Sequence, residues 1–234
     1  MKHLINLVVE DGDVVLDFFS GSASTAHAVL EYNAEKSSQN TFIAVQIGEE
    51  IEEKEAAYKL GYRTIDEIGR KRIELAADKI KQDTGAEIDY GFKHFTLETP
   101  PQPVIDTLEE FNPNENLFSD DPLEPLNFEG TTAKNVLLTT WAVQDGHGLN
   151  PKFETITLDT YELSVVGRTA YVIDGGFTAK DMTVLTRLIE DKELDINHLV
   201  YFNTALTFEV VRELQSALSP SQLRAGHVTI TARW

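Results

Sequence analysis

Short apolar runs alternate along this chain with longer stretches in which apolar residues recur at helical spacing. Leu4 to Val9 form an apolar block that reads as the end of a helix, and Asp11-Gly12 supplies a turn. Val14-Val15-Leu16 is a short apolar strand running into Asp17. A Gly/Ser-rich turn follows, and Ala26, Val29 and Leu30 then fall at helical spacing within Ala26 to Asn33. Thr41 to Ile47, rich in β-branched residues, reads as a second strand. Strand, tight loop, helix and strand in that order make a βαβ crossover, which implies a parallel sheet.

Two further helices are expected, over Glu52 to Leu60 and over Ile65 to Lys81. The second carries Ile65, Ile68, Ile73, Ala76, Ala77 and Ile80 on one side, with Thr64 as its N-cap and Glu67 three residues on. Beyond His94 the pattern changes. No Lys or Arg occurs from Phe95 to Ala133, and six of the chain's eight prolines fall there, from Pro100 to Pro125. Such a stretch reads as an acidic, Pro-rich linker or arm. The expected organisation is therefore a unit over residues 1–95, an arm over 96–133 and a smaller α/β unit over 134–234. In the last unit, Thr155 to Leu158, Tyr161 to Val166 and Ala170 to Ile173 read as strands. Helix Thr178 to Ile189, strand Leu199 to Phe202, helix Phe208 to Leu218 and strand Val228 to Ala232 then alternate, which favours parallel pairing.

Composition narrows the function classes. The formal net charge of -19 argues against this segment gripping a DNA backbone by itself, because duplex binders present a Lys/Arg footprint. Arg70-Lys71-Arg72, the one dense basic cluster, reads first as a solvated helix face. The absence of cysteine removes disulfides, thiolate metal sites and cysteine nucleophiles. No apolar run approaches the roughly 18 residues of a spanning helix, so a cytoplasmic protein is expected. The histidines (His3, His27, His94, His147, His198 and His227) show no metal-ligand spacing, and no P-loop lysine or Gly-x-Ser-x-Gly elbow occurs. Asp145-Gly146-His147-Gly148 and Asp174-Gly175-Gly176 read as turns, and Trp141 and Trp234 as core or interface aromatics.

The stretch that carries chemistry is Asp17-Phe18-Phe19-Ser20-Gly21-Ser22-Ala23-Ser24-Thr25-Ala26-His27-Ala28-Val29. A glycine between a parallel strand and its helix lets a ligand approach the backbone, while hydroxyl side chains and the helix N-terminus offer hydrogen bonds. This run resembles the S-adenosylmethionine loop of type III restriction–modification methyltransferase (Mod) subunits, Asp-Phe-Phe-x-Gly-Ser-Gly-Thr-Thr-Ala-His-Ala-Val, at eleven of thirteen places counting the variable one. Downstream, Phe42-Ile43-Ala44-Val45-Gln46 is similar to that family's second strand. The stretch Gly61 to Ile73 is similar to its Gly-Tyr-Lys-Thr-Ile segment, and Gly91-Phe92-Lys93-His94-Phe95 to a further strand. The resemblance implies a partial Rossmann-like methyltransferase unit that binds S-adenosylmethionine. Asp17, Phe19, Gly21, Ser22, Ser24 and Thr25 would form its loop, and Gln46 or Glu49 would meet the ribose. Two positions depart from the family: Ala23 replaces its second glycine and Ser24 its first threonine.

Transfer to an exocyclic amine needs a flipped-out base held by stacking and hydrogen bonds. The resemblance implies an Asp-Pro-Pro-Tyr type motif for that task, upstream of the loop and separated from it by a target-recognition region. The nearest tetrapeptide here, Thr99-Pro100-Pro101-Gln102, lies downstream and lacks the aromatic residue. No catalytic residue and no metal ligand is therefore assigned. The expected role is the cofactor-binding and C-terminal portion of an adenine-N6 DNA methyltransferase. Its expected partners are DNA in the full-length protein, a second Mod and a Res helicase–nuclease subunit. The alternative is a non-catalytic assembly module, for which Ala23 would be the symptom.

Overall fold

A computed structural model of the chain describes residues 1–97, 99, 102, 131–203, 205–219 and 227–233. Most of the expected arm, and Trp234, lie outside these residues. The chain divides into two units, Met1–His94 and Phe95–Trp234.

The first unit runs α1 (Lys2–Val8), β1 (Val14–Asp17), α2 (Ser24–Lys36), β2 (Thr41–Ala44), α3 (Ala56–Lys59) and α4 (Ile65–Thr84). β1 and β2 pair in parallel, with Val14 opposite Thr41 and Asp17 opposite Ala44. α2 is the crossover. On the sheet side its Ala28, Val29 and Tyr32 pack with Ile5, Val15 and Phe42. Its other side, through Ala23, Ala26 and Leu30, meets Ile73, Ala76, Ala77 and Ile80 of α4. That stripe on α4 is the one its spacing predicts, and the Thr64–Glu67 capping box is present. Asn33, buried at the end of α2, donates to Asn40 O (2.8 Å) and accepts from Ser38 Oγ (3.0 Å), which fixes the turn into β2. The second face of this sheet is uncovered: Val14 is 59% and Leu16 49% exposed. Parallel sheets are ordinarily buried on both faces.

Gly91 to Phe95, expected as a strand, is not one. Phe92 packs instead on the α2–α4 cluster.

The second unit contains a helix that apolar spacing did not reveal, α5 (Ala133–Gln144), capped by Thr132. There follow β3 (Glu154–Thr157), β4 (Glu162–Val166), β5 (Thr169–Val172), α6 (Ala179–Glu190), β6 (His198–Phe202), α7 (Phe208–Ala217) and β7 (Thr229–Arg233). The sheet order is β3-β4-β5-β6-β7. The β3/β4 and β4/β5 pairs are antiparallel, while β5, β6 and β7 are parallel. Parallel pairing thus holds where helices alternate with strands and fails over the first three strands, whose short connections permit only hairpins. α6 and α7 cover one face through Leu185, Ile189 and Leu214. α5 covers the other, with Leu137, Leu138 and Trp141 against Tyr171, Val200 and Phe202.

Two carboxylates lock this unit. Asp181, fully buried in the first turn of α6, accepts from the backbone N–H groups of Thr160 (2.8 Å), Tyr161 (2.9 Å) and Thr178 (2.9 Å) and from Thr178 Oγ1 (2.6 Å). Asp145, at the end of α5, accepts from Tyr171 OH (2.8 Å) and from both terminal nitrogens of Arg233, so it ties the helix to β5 and β7. Burial pushes the Asp145 carboxyl up, but the Arg233 and Tyr171 hydrogen bonds outweigh it and hold the group below the usual carboxylate range.

Candidate cofactor-binding site

The loop between β1 and α2 lies at the carboxyl ends of two adjacent parallel strands, where open α/β sheets bind ligands. The chain's own polar groups hold its shape. Asp17 Oδ2 accepts from Thr25 Oγ1 at 2.6 Å, and Asp17 Oδ1 accepts from Phe19 N at 3.2 Å. Thr25 is one residue into α2, so this pair clamps the strand end to the helix start. Gln46 Oε1 accepts from Gly21 N at 2.8 Å, and its Nε2 donates to Ile47 O at 3.0 Å. Both ends of the Gln46 amide are therefore engaged by the backbone, one of them by the glycine of the loop.

Gly21 (φ 50°) and Ala23 (φ 58°) are both left-handed. The Ala23 conformation costs about 1–2 kcal/mol for a residue with a Cβ. Its N–H donates to Ser20 O (2.7 Å), and its carbonyl accepts the first helical bond, from His27 N (3.2 Å). The methyl group is 3% exposed and packed among the α2–α4 core residues, so it does not stand over the loop. Ala23→Gly should relieve the backbone, but it removes a buried methyl worth about 0.8 kcal/mol. Stability should change by less than about 1 kcal/mol in thermal unfolding, with ligand affinity unaltered. A large gain in affinity would show that the methyl blocks the crevice after all.

α4 fits closely against this loop at Gly69. A Cβ there would stand 3.1 Å from Gly21 O and 3.4 Å from Ala23 Cβ. The nearer contact is backbone and cannot swing aside. Gly69→Ala gains about 1 kcal/mol of helix propensity but overpacks at a cost of about 1–3 kcal/mol. We expect a net loss of stability in denaturant titration and a displaced loop; an alanine variant more stable than wild type contradicts this packing.

Asp66 stands one turn before Gly69 on α4. Its carboxylate accepts from Arg70 (3.1 Å). Burial raises the Asp66 carboxyl, while hydrogen bonds from Thr64 and Arg70 pull it further the other way, below its ordinary value.

The upper side of the loop is open. Apart from its chain neighbours, no heavy atom of the described residues lies within 4 Å of where a Cβ on Gly21 would be, Phe19 is 86% exposed, and the Ser22 and Ser24 hydroxyls make no hydrogen bond among the described residues. The first turn of α2 adds N–H groups without helical partners. Asp17, Phe19, Gly21, Ser22, Thr25 and Gln46 are thus brought into one constellation, with Ser24 at its helix end. Glu49 lies further out with an exposed side chain, its backbone carbonyl accepting from Ile65 N at 3.1 Å. A shallow hollow lies elsewhere, lined by His27, Arg72, Leu75, Ala76 and Lys79 on α2 and α4. It is wide open and mostly apolar, so the strand-end crevice is the better candidate. In the basic cluster Arg70 pairs with Asp66 and Lys71 with Glu74. Among the described residues no group of acidic and histidine side chains could hold a metal ion.

Comparison with known proteins bears on the same two regions. The DNA methylase family model matches residues 1–59, and the model for the type III R-M EcoP15I C-terminal domain matches residues 132–225. Over 93% of its length the chain is 32% identical to the StyLTI Mod subunit of Salmonella typhimurium. Over the same share it is 31% identical to the EcoPI Mod subunit of Escherichia phage P1 and 30% identical to the EcoP15I Mod subunit of Escherichia coli. The chain belongs to the type III Mod family. It spans about a third of these relatives' length, covering 37%, 33% and 32% of them.

Within this Mod chain, sequence reasoning missed Gly69 and Asp66. Gly69 did carry a signal, because a glycine inside an otherwise good helix marks a close approach. Asp66 carried none beyond its place in the first turn.

Proposed function

We propose that this Mod chain supplies the S-adenosylmethionine-binding part, together with the C-terminal domain, of an adenine-N6 DNA methyltransferase. The observation that carries the reading is the clamped loop: Asp17 bonded to Thr25, Gln46 bonded to Gly21, and open space above Gly21 at the ends of two parallel strands. These residues fit the cofactor. The amino-acid end of S-adenosylmethionine carries an anion suited to unpaired N–H groups and hydroxyls, and the bare Gly21 backbone allows it to come close. The bound cofactor supplies a methyl group on a positively charged sulfur. The chain's own residues bind and orient: Asp17 and Gln46 hold the loop, Ser22 and Ser24 offer hydroxyls, and the exposed Phe19 ring offers an apolar wall beside the crevice.

No Asp-Pro-Pro-Tyr tetrapeptide occurs in these 234 residues. In this reading, other parts of the methyltransferase flip and hold the base, and they also supply the cover for Val14 and Leu16 on the open sheet face. The -19 charge agrees with DNA being gripped elsewhere. The assembled enzyme would work in the cytoplasm with a second Mod and a Res helicase–nuclease subunit. Among the described residues no helix is long and apolar enough to cross a membrane. The assembly-module alternative loses its main support, since the Ala23 methyl points into the core. Hydrogen exchange with and without S-adenosylmethionine tests the placement. Protection should rise at 17–26 and 44–49; protection confined to the C-terminal unit would refute it.

A further inference from the structure

Resting on the reading of the loop as an S-adenosylmethionine site, we propose that Asp66 of α4 is the carboxylate that receives the cofactor's ribose hydroxyls, in place of Gln46. In nucleotide-binding α/β folds this contact comes from an acidic side chain near the end of the second strand. Gln46 stands there, but its carbonyl oxygen is taken by Gly21 N and its amide nitrogen by Ile47 O. Turning it to a ribose would unlatch the glycine loop that the same cofactor needs. Gln46 is a positioning residue.

Asp66 reaches the same place from the other side. Its Oδ1 lies 3.9 Å from where a Cβ on Gly48 would be, two residues beyond Gln46. Residues i and i+3 share a helix face, so Asp66 lies on the face through which Gly69 touches Gly21 and Ala23. Its position is pinned by backbone pairing. Ile51 N donates to Arg63 O (2.8 Å), Ile65 N donates to Glu49 O (3.1 Å), and Glu50 bridges Thr64. Arg70 holds the other oxygen, Oδ2, at 3.1 Å, Thr64 also bonds the carboxylate, and the side chain remains 25% exposed. A carboxylate has about four acceptor sites, so Asp66 can still accept from a diol beside its bonds to Arg70 and Thr64, and it is a stronger acceptor than the Gln46 amide.

The test is calorimetric titration of the full 234-residue chain with S-adenosylhomocysteine and with its 2′-deoxy and 3′-deoxy analogues. Wild type should prefer the intact ribose by about tenfold or more. Asp66→Ala should lose that preference, binding all three ligands with one weakened affinity. Asp66→Asn, which keeps the size and an acceptor for Arg70, should fall between. If Asp66→Ala weakens all three ligands by an equal factor, so that the preference survives, Asp66 is only structural and the assignment is overturned. It is also overturned if Glu49→Ala removes the preference while Asp66→Ala keeps it. Wild type that binds none of the ligands refutes the loop reading itself, and the assignment falls with it.

Discussion

Asp17→Ala should abolish S-adenosylmethionine binding and destabilise the N-terminal unit by about 2–4 kcal/mol. The side chain makes two contacts that nothing nearby can replace, with Thr25 Oγ1 and with Phe19 N. Hydrogen bonds to a charged acceptor contribute about 1.5–3 kcal/mol each, and truncation leaves Thr25, a buried residue, with its hydroxyl unpaired. The larger effect is on shape. Without the clamp the strand end and the first turn of α2 separate, and the Gly21 backbone loses the position from which it meets a ligand. Asp17→Asn keeps one acceptor oxygen and should retain weak binding. Calorimetry beside chemical denaturation checks both variants, and an alanine variant that binds like wild type would falsify the clamp.

The second large effect lies in the C-terminal unit. Asp181→Ala should cost about 3–5 kcal/mol, because it removes the capping box of α6 and orphans the N–H groups of Thr160 and of buried Tyr161. Burial pushes this carboxyl up, but the hydrogen bonds from Thr178, Thr160 and Tyr161 prevail and hold it far below an ordinary carboxylate. The sign of the pH dependence follows. The unfolded chain takes up a proton near pH 4 and the folded unit only at much lower pH, so the stabilisation is complete above about pH 4 and is lost as pH falls below it. Asp145, lowered likewise, adds to the same trend. Denaturant titrations between about pH 5 and pH 2 should show a shallower decline for Asp181→Asn than for wild type. Parallel slopes would contradict the assignment.

Much of the N-terminal unit was legible because its signals are local. Val14 to Leu16, the Gly/Ser turn and the spacing of Ala26, Val29 and Leu30 each depend on short-range rules, as does the Thr64–Glu67 box. The apolar stripe on α4 could be read for the same reason. The features that escaped are tertiary. α5 contains Val136, Thr139, Thr140 and Val143, β-branched residues that weaken helix propensity; it exists because Leu137, Leu138 and Trp141 have an apolar sheet face to cover. The Gly91–Phe95 stretch had strand character, but Phe92 packs on the α2–α4 cluster instead. The same distinction runs through the candidate site. Asp17, Gly21 and Thr25 could be named from the loop alone, whereas the engagement of Gln46 by Gly21 spans 25 residues and the contact of Gly69 with the loop spans two elements. Nothing in the sequence around Gln46 shows that its amide is already committed.

The central claim, that this segment of Mod holds the cofactor, is tested most directly by titrating the 234-residue chain with S-adenosylmethionine in a calorimeter, with thermal unfolding as a second readout. The account predicts one saturable site per chain and a matching upward shift of the N-terminal unit's unfolding transition. Neither heat nor shift at millimolar ligand would contradict it.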